Sequence, residues 1–336
     1  MLRIAQTGRR ALRELGILLV CFGVIQGQPK VQVFSSDNVA DLALLKAKAD
    51  VVEYKGRKAI RLIKEMGMGM GTDGLAMLPG TDFQDGTIEM DIALKLAPPP
   101  GMPPNFKLPG FVGVAFRARS DASRYELFYL RPGNSNSDDQ GHRSHSVQYT
   151  SEPDYPWPKL RRAWPWLYEA HADLALETWT KVKVEVKGRS ARLYVNGSPL
   201  ASLVVDGLKG RDLRGGVGLW TFPGQEAYFS NIRIAHSAPL PVKNRSDAAG
   251  AWQVTMASEM GPFQSTLHLE RDGGNLKGTW TGGLGTARPV SGTWHDGYVE
   301  LTFQAEWPAG RPDNGGVAPA RLAGWIDGDR TQAVVS

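Results

Sequence analysis

Side chains that could bind or transform a polar small molecule are concentrated between Tyr125 and Trp157, in the stretch YELFYLRPGNSNSDDQGHRSHSVQYTSEPDYPW. Planar groups with two hydrogen-bonding atoms match neighbouring hydroxyls, and aromatic faces stack on the C–H faces of sugar rings. The stretch supplies both kinds, together with two histidines: Arg131, Asp138, Asp139, Gln140, His142, His145, Tyr129, Tyr149, Tyr155 and Trp157. This combination favours carbohydrate as the ligand class.

Three acids are candidates for catalysis. Glu89 and Asp91 are two residues apart on one predicted strand, so their carboxylates share a face of the sheet. Hydrolysis of a glycoside commonly uses two carboxylates that flank the scissile bond. The alternative is that the pair only forms a solvated strand face. Glu126, on a later strand, is the third candidate catalytic residue.

Two predicted neighbouring strands carry charged and aromatic groups that could face each other, namely Arg117, Tyr125, Glu126 and Arg131. An arginine opposite a glutamate can be a cross-strand ion pair, worth about 0.2–1 kcal/mol. On a curved sheet the same groups could clamp a sugar. The sequence leaves both interpretations open.

The loop residues Asp138, Asp139, His142 and His145 include both carboxylates and imidazoles. Such groups can hold a divalent metal if the loop folds back on itself, and calcium is one candidate for a structural ion. The spacing matches no established zinc pattern. Asx-turns and hydrogen bonds within a polar loop are the alternative explanation.

Four large aromatic residues follow in YPWPKLRRAWPWLY: Trp157, Trp164, Trp166 and Tyr168. The prolines in this segment are incompatible with one regular helix. The rings could fill a small core of the loop itself. Because large rings need either cover or a ligand, we expect at least one of them to line a binding groove.

The elements that must position these groups are strands. Alternating apolar and polar residues, with many β-branched and aromatic side chains, predict an antiparallel sandwich, and the best helical candidate, residues 38–48, is short. Arg189–Ser190 and Asn196–Gly197 are predicted turns. The predicted strands cover residues 86–96, 111–118, 124–131, 145–150, 180–188, 191–197, 215–222 and 227–234.

A change in composition divides the chain. Residues 236–249 contain prolines and no periodic pattern, as expected of a linker. From residue 250 to 336, strand patterns alternate with Asp–Gly turns such as Asp272–Gly273 and Asp296–Gly297. This pattern predicts a second, smaller domain, an antiparallel β-meander or barrel.

The N-terminus has the layout of a secretory signal. Arginines precede the apolar run GILLVCFGVI, which is too short to span a bilayer, and residues 1–27 are predicted to be removed. Cys21 could be lipidated, with simple cleavage as the alternative. Removal of four arginines and one glutamate lowers the formal net charge from +5 to about +2, and no basic stripe for nucleic acid remains. We therefore expect a periplasmic or extracellular protein with no transmembrane span.

The run from GTIEMDIAL through FVGVAFRA and RYELFYLRP to ETWTKVKVEVKGRSARLYVNG and AYFSNIRI resembles the concanavalin A-like lectin/glucanase superfamily. Within it, the resemblance is greatest to the secreted bacterial 3-keto-disaccharide hydrolase domains, which have a LamG-like jelly roll. The resemblance covers about residues 31–235 and implies a two-sheet jelly roll whose concave sheet binds or hydrolyses glycosides. The alternative is a glycan-binding or interaction module without catalysis.

Overall fold

The structure, a computed structural model, describes residues 30–64, 73–97, 109–240, 247–256, 263–282, 287–307, 316–327 and 330–335. The predicted signal segment and Cys21 lie outside these residues. Within the described part, no helix is both long enough and apolar enough to cross a membrane.

Residues 31–236 form mainly strands with three short helices. The helices are α1 (Pro132–Ser135), α2 (Gln140–Arg143) and α3 (Trp157–Ala163). The strands are β1 (Val31–Phe34), β2 (Ala43–Leu45), β3 (Ala47–Tyr54), β4 (Arg57–Lys64), β5 (Gly74–Met77), β6 (Gly86–Leu96), β7 (Val112–Ala118), β8 (Tyr125–Leu130), β9 (Val147–Glu152), β10 (Glu169–Ala170), β11 (Thr180–Lys187), β12 (Ser190–Val195), β13 (Leu203–Asp206), β14 (Gly216–Thr221) and β15 (Gln225–His236).

These strands form two antiparallel sheets. Sheet A has the order β13-β12-β11-β6-β15-β4-β3, with β1 also paired to β15, and sheet B has the order β10-β9-β8-β7-β14-β5-β2. One apolar core contains side chains from both sheets, such as Ile88 and Ile92 of sheet A and Val114 and Phe128 of sheet B. The predicted all-β fold with a two-sheet antiparallel sandwich is confirmed.

Alternate side chains of strand β8 point to opposite faces of sheet B. Phe128 and Leu130 point between the sheets into the shared core. Leu127 and Tyr129 point the other way, into a second apolar cluster with Trp220. We call the face of each sheet that meets the other sheet its inner face, and the opposite face its outer face. All six residues of β8 are buried, because both faces are covered.

The best helical candidate of the sequence, residues 38–48, forms no helix, since β2 and the start of β3 occupy this segment. Strand β3 is held by the hairpin to β4, whose turn residues Lys55 and Gly56 both have positive φ, at 48° and 73°. Such a turn matches the twist of paired strands. The β11–β12 turn also lies one residue earlier than predicted, at Gly188 and Arg189.

The rest of the chain forms sheet C, an antiparallel meander. Its strands pair in chain order: β16 (Gly250–Met256), β17 (Phe263–Asp272), β18 (Asn275–Thr281), β19 (Ala287–His295), β20 (Tyr298–Trp307), β21 (Gly316–Asp327) and β22 (Arg330–Val335). One face of the sheet packs into its own core, where Trp280 stacks on Phe303 with ring centroids 4.3 Å apart. The sheet therefore has a core separate from that of the sandwich.

The other face of sheet C contacts the sandwich. Trp325 Nε1 donates a hydrogen bond of 3.0 Å to the carbonyl oxygen of Gly210, and the Tyr155 hydroxyl donates to the carbonyl of Ala323. Leu213 packs against a small cluster that includes Trp325. The division of the chain into two folding units stays a prediction, because these contacts join them.

An ionic network reinforces this contact. Glu300 on β20 accepts hydrogen bonds from Arg124, Arg211 and Arg321, at 2.9, 2.8 and 2.6 Å. Arg321 also pairs with Asp154, just beyond β9. Burial alone would raise the pKa of Glu300, but the three arginines lower it below its ordinary value. The network ties two strands of sheet C to the end of sheet B.

Glu300→Gln tests this network. We expect it to reduce the free energy of unfolding by about 1–2 kcal/mol, because three arginines lose a partly buried counter-charge. The loss should shrink in high salt and below the ordinary pKa of a glutamate, where the carboxylate of the unfolded chain is also protonated. Urea unfolding at two salt concentrations measures it. Glu185→Gln, an exposed pair with Lys183, is the control; equal effects of both substitutions would contradict a structural role for Glu300.

Candidate functional site

A row of aromatic side chains crosses the outer face of sheet B. Trp220, Gly113 and Tyr129 are successive cross-strand partners on β14, β7 and β8. A Cβ at Gly113 would lie 2.2 Å from the Phe128 carbonyl oxygen and 2.7 Å from Tyr129 Cβ, so no larger residue fits. Across this gap the rings of Tyr129 and Trp220 meet, with centroids 5.2 Å apart. The glycine thus creates a continuous aromatic floor.

Arg131 stands next to this floor in a buried hydrogen-bonded cluster. Its guanidinium donates to Tyr129 Oη at 2.7 Å, to Gln148 Oε1 at 3.2 Å and to the His145 carbonyl oxygen at 2.8 Å. It also lies over the rings of Tyr129 and Trp157, 4.9 and 6.0 Å from their centroids. Burial lowers the pKa of Arg131 from its ordinary value, with Tyr129 opposing. The cluster fixes the guanidinium in one orientation.

The rim beyond Arg131 combines charge with exposed aromatic faces. Arg161 donates two hydrogen bonds to Glu169 Oε2, at 3.1 and 2.7 Å, and stacks over Trp157 with its Cζ 4.6 Å from the centroid. His145 contacts Glu169 at 3.2 Å and stacks on Trp166. Trp157 and Trp166 remain 42% and 66% exposed. Arg161 thus stacks on Trp157 and His145 on Trp166, and both tryptophans remain partly open to solvent.

Two carboxylates lie at the other end of the same face. Glu152 ends β9 directly opposite Tyr125, and the Tyr125 hydroxyl donates a hydrogen bond to Asp73, which precedes β5. Burial and the negative charge of Asp73 raise the pKa of Glu152 to about 7. Burial also raises the pKa of Asp73, while its contacts with Tyr125 and Trp220 oppose that shift. We call Asp73 and Glu152 the acid pair.

Three predicted site residues lie elsewhere, on the inner side of sheet B. Arg117 has a positive φ of 50° at a bulge, which turns its side chain toward the Gln84 and Gly188 carbonyls and Asp85. Glu126 and Tyr149 point inward by strand alternation and bond to each other at 2.6 Å. The structure therefore separates Arg117, Glu126 and Tyr149 from Tyr129, Arg131 and Trp157.

Glu126 organises a backbone loop. It accepts the N–H of Gly210 at 3.0 Å, and Tyr149 Oη accepts the N–H of Lys209 at 2.7 Å. Burial raises the pKa of Glu126, with Tyr149 and Arg117 opposing. The adjoining cavity measures about 10 Å³, room for one water but not for a sugar. These contacts support the loop on which Trp325 of sheet C rests.

Glu89 and Asp91 share one face, as predicted, but it is the outer face of sheet A. Glu89 is exposed, and its neighbour Asp91 bonds to Arg57 Nη1 and Asn231 Nδ2, both at 2.6 Å. The two-sheet core separates this pair from Glu126 and from the Arg131 cluster. Arg57 also lies over the ring of Trp179, 5.3 Å from its centroid, beside Tyr54 and Tyr228. The catalytic role proposed for Glu89 and Asp91 stays a prediction.

The polar loop does not gather into a metal site. Asp139 caps α2 by accepting the N–H of His142 at 3.0 Å, while Asp138, Gln140 and His142 are exposed. His145 turns away to Glu169. Among the described residues, no group of three or more His, Cys, Asp or Glu side chains could hold a metal ion. The calcium site therefore stays a prediction from the sequence.

Several residues of this face were missed by reasoning from the sequence: Asp73, Gln148, Glu152, Arg161 and Glu169. Gln148, Thr150 and Glu152 are alternate residues of β9, so their side chains point to the same face. Gln148 pairs with Tyr129 and Glu152 with Tyr125, which can be recognised only once the register of β8 and β9 is known. Asp73 comes from a distant segment without a strand pattern around it. Its position was not recoverable without the fold.

Comparison with known proteins gives limited similarity. No protein-family model matches the chain, and no curated protein does so either. Among solved structures, it is similar to the carbohydrate-binding module CBM66 from Bacillus subtilis, with 15% identity over 59% of this chain and 97% of that chain and a TM-score of 0.38. An endo-β-galactosidase from Clostridium perfringens shares 9% identity over 93% of this chain and 89% of that chain, with a TM-score of 0.34. At this level the likeness carries no functional argument.

The raised pKa of Glu152 predicts that its burial lowers the stability of the folded protein to a degree that depends on pH. The folded state holds the Glu152 proton more tightly than the unfolded state does, so between pH 4.5 and about 7 stability falls as pH rises, by up to about 1.4 kcal/mol per pH unit. Glu152→Gln should therefore raise the melting temperature at pH 8 and leave it nearly unchanged at pH 4. Thermal unfolding across this pH range measures the effect. The control Glu89→Gln, at an exposed position, should have the melting temperature of the native protein at every pH. A change in Glu152→Gln that does not depend on pH would refute the raised pKa of Glu152.

Proposed function

We propose that the protein is an exported carbohydrate-binding protein whose ligand lies on the outer face of sheet B. The observation that carries the proposal is the Arg131 cluster beside two exposed tryptophans, Trp157 and Trp166. Aromatic faces bind the C–H faces of sugars, and fixed guanidinium and amide groups bind their hydroxyls. A site with both features selects a polyhydroxylated ring over a purely apolar ligand.

The exposed part of the outer face of sheet B is the rim around Trp157 and Trp166. Gln148 and Glu152 are four residues apart on one strand, so the Arg131 cluster and the acid pair are separated by about 13 Å. The aromatic floor of Trp220 and Tyr129 lies along the same face. Tyr129 and Trp220 are only 3% and 4% exposed, so the ligand is placed at the rim, on Trp157 and Trp166. The expectation of export rests on the N-terminal sequence alone.

Trp157→Ala and Trp166→Ala should each weaken glycan binding roughly tenfold, equivalent to about 1.4 kcal/mol, because an exposed stacking face is lost without a change to the core. Arg131→Ala should cost more, since it also frees Gln148 and Tyr129 from a buried cluster. An array of plant, bacterial and host oligosaccharides identifies a ligand, and calorimetry with that oligosaccharide measures the loss.

Tyr194→Ala is the matched control, because this tyrosine carries Lys183 over its ring on the outer face of sheet A. Its binding should equal that of the native protein. If folded Trp157→Ala and Trp166→Ala proteins bind as tightly as the native protein, the ligand lies elsewhere. Equal weakening in Tyr194→Ala would also contradict the assignment to sheet B.

A further inference from the structure

We propose that the glycan bound at the rim around Trp157 and Trp166 carries an anionic group, which the guanidinium groups of Arg131 and Arg161 select. The anionic group is the carboxylate of a uronic acid or a sulfate ester, since both present negatively charged oxygens to an arginine. The inference rests on the glycan-binding function proposed above and names the class of glycan. It starts from a positive charge at the rim that no carboxylate of the described residues balances.

Arg131 is buried without an ionic partner. It is only 4% exposed, and its three hydrogen bonds go to neutral acceptors: Tyr129 Oη, Gln148 Oε1 and the His145 carbonyl oxygen. Within the described part of the chain, no carboxylate forms an ion pair with it. The rings of Tyr129 and Trp157 attract the guanidinium but supply no negative charge. A buried cation without a counter-ion lowers stability.

A second buried arginine shows how the same fold compensates such a charge. Arg117 is 1% exposed, and its guanidinium contacts Asp85 Oδ1 at 3.1 Å in addition to two backbone carbonyl oxygens. The fold therefore supplies a carboxylate to one buried guanidinium and not to the other. The uncompensated one, Arg131, is also the one that lies beside the partly exposed ring of Trp157.

The carboxylate of the rim, Glu169, is already engaged by Arg161. Nε and Nη2 of Arg161 donate to its two oxygens, with distances of 3.0, 3.1 and 2.7 Å. His145 Nε2 also lies 3.2 Å from Glu169 Oε1. Burial lowers the pKa of His145, with Glu169 opposing, so the imidazole adds no positive charge at pH 7. Two guanidinium groups thus share one carboxylate, which leaves one positive charge unbalanced.

Arg161 offers the donor that an anion can reach. Its side chain is 32% exposed, and its Nη1 takes no part in the hydrogen bonds to Glu169. The Cζ atoms of Arg161 and Arg131 lie 4.6 and 6.0 Å from the centroid of the same Trp157 ring. Helix α3, with the sequence WPKLRRA, adds two further basic residues and no acid. The excess positive charge therefore lies beside the ring proposed to stack on the sugar.

Matched pairs of glycans on the array test the proposal with the native protein. Oligogalacturonates are compared with their methyl esters, and sulfated oligosaccharides with their desulfated forms, so the members of a pair differ mainly in charge. We expect the anionic member to bind at least about tenfold more tightly, the effect of one hydrogen bond to a charged group. Preference within the first kind of pair identifies a carboxylate, and preference within the second identifies a sulfate. Calorimetry measures the ratio of the two affinities.

Two substitutions at the rim should change this ratio in opposite directions. Arg161→Gln should bring it close to one, because the reachable donor loses its charge. Glu169→Gln should increase it, because the glycan anion no longer competes with a carboxylate for Arg161. A purely structural role of the ion pair would weaken both members of a glycan pair equally. Arg192→Gln, the control, removes the same charge from an exposed position on β12 of sheet A and should leave the ratio unchanged.

Thermal unfolding shows that each variant is folded, and the comparison within glycan pairs needs only the native protein. If the glycans that bind are neutral, or if both members of each pair bind equally, anion selection is overturned while glycan binding at the rim stands. An equal fall of the ratio in Arg192→Gln also overturns it, because the attraction then comes from net charge. If no array glycan binds, the proposed function fails and this inference fails with it.

Discussion

The alternation of side chains along β8 and β9 between the two faces of sheet B is the constraint on which the rest of the structure depends. Alternate residues of these paired strands point to opposite faces, so one register decides which polar groups meet solvent and which lie between the sheets. Glu126 and Tyr149 fall on the inner face, whereas Tyr129 and Glu152 fall on the outer one. A slip by one residue would exchange these sets and place Phe128 on the outer face.

The inner set then determines where sheet C can lie. Glu126 and Tyr149 hold the backbone at Gly210, and that carbonyl receives the Trp325 indole. Asp154 follows β9 closely and pairs with Arg321 of sheet C. The strand end that carries Glu152 is therefore fixed on one side by the β-ladder and on the other by an ionic network. Sheet C thus supports the position of the acid pair without contributing a residue to it.

Sequence patterns were sufficient for the strands and for part of the site. The strands around Tyr129 and Arg131 were predicted within about two residues, since they alternate clearly, and both residues lie on the proposed binding face. Arg117 differs because a bulge with positive φ reverses its side chain, which alternation does not reveal. Asp73 and Glu152 meet through the packing of distant segments. Local periodicity contains no information about such pairs.

Compensation of buried charge differs among the acids of this molecule. Asp91 is balanced by Arg57 and Asn231, and Glu126 by Tyr149 and the Gly210 N–H, so each has local partners that account for its burial. Glu152 has no ion pair among the described residues and lies beside a second carboxylate. Its burial lowers stability at neutral pH with no structural gain in return. Only the Thr150 hydroxyl and the charge of Lys159 oppose the rise of its pKa, so Glu152 is less well compensated than Asp91 or Glu126.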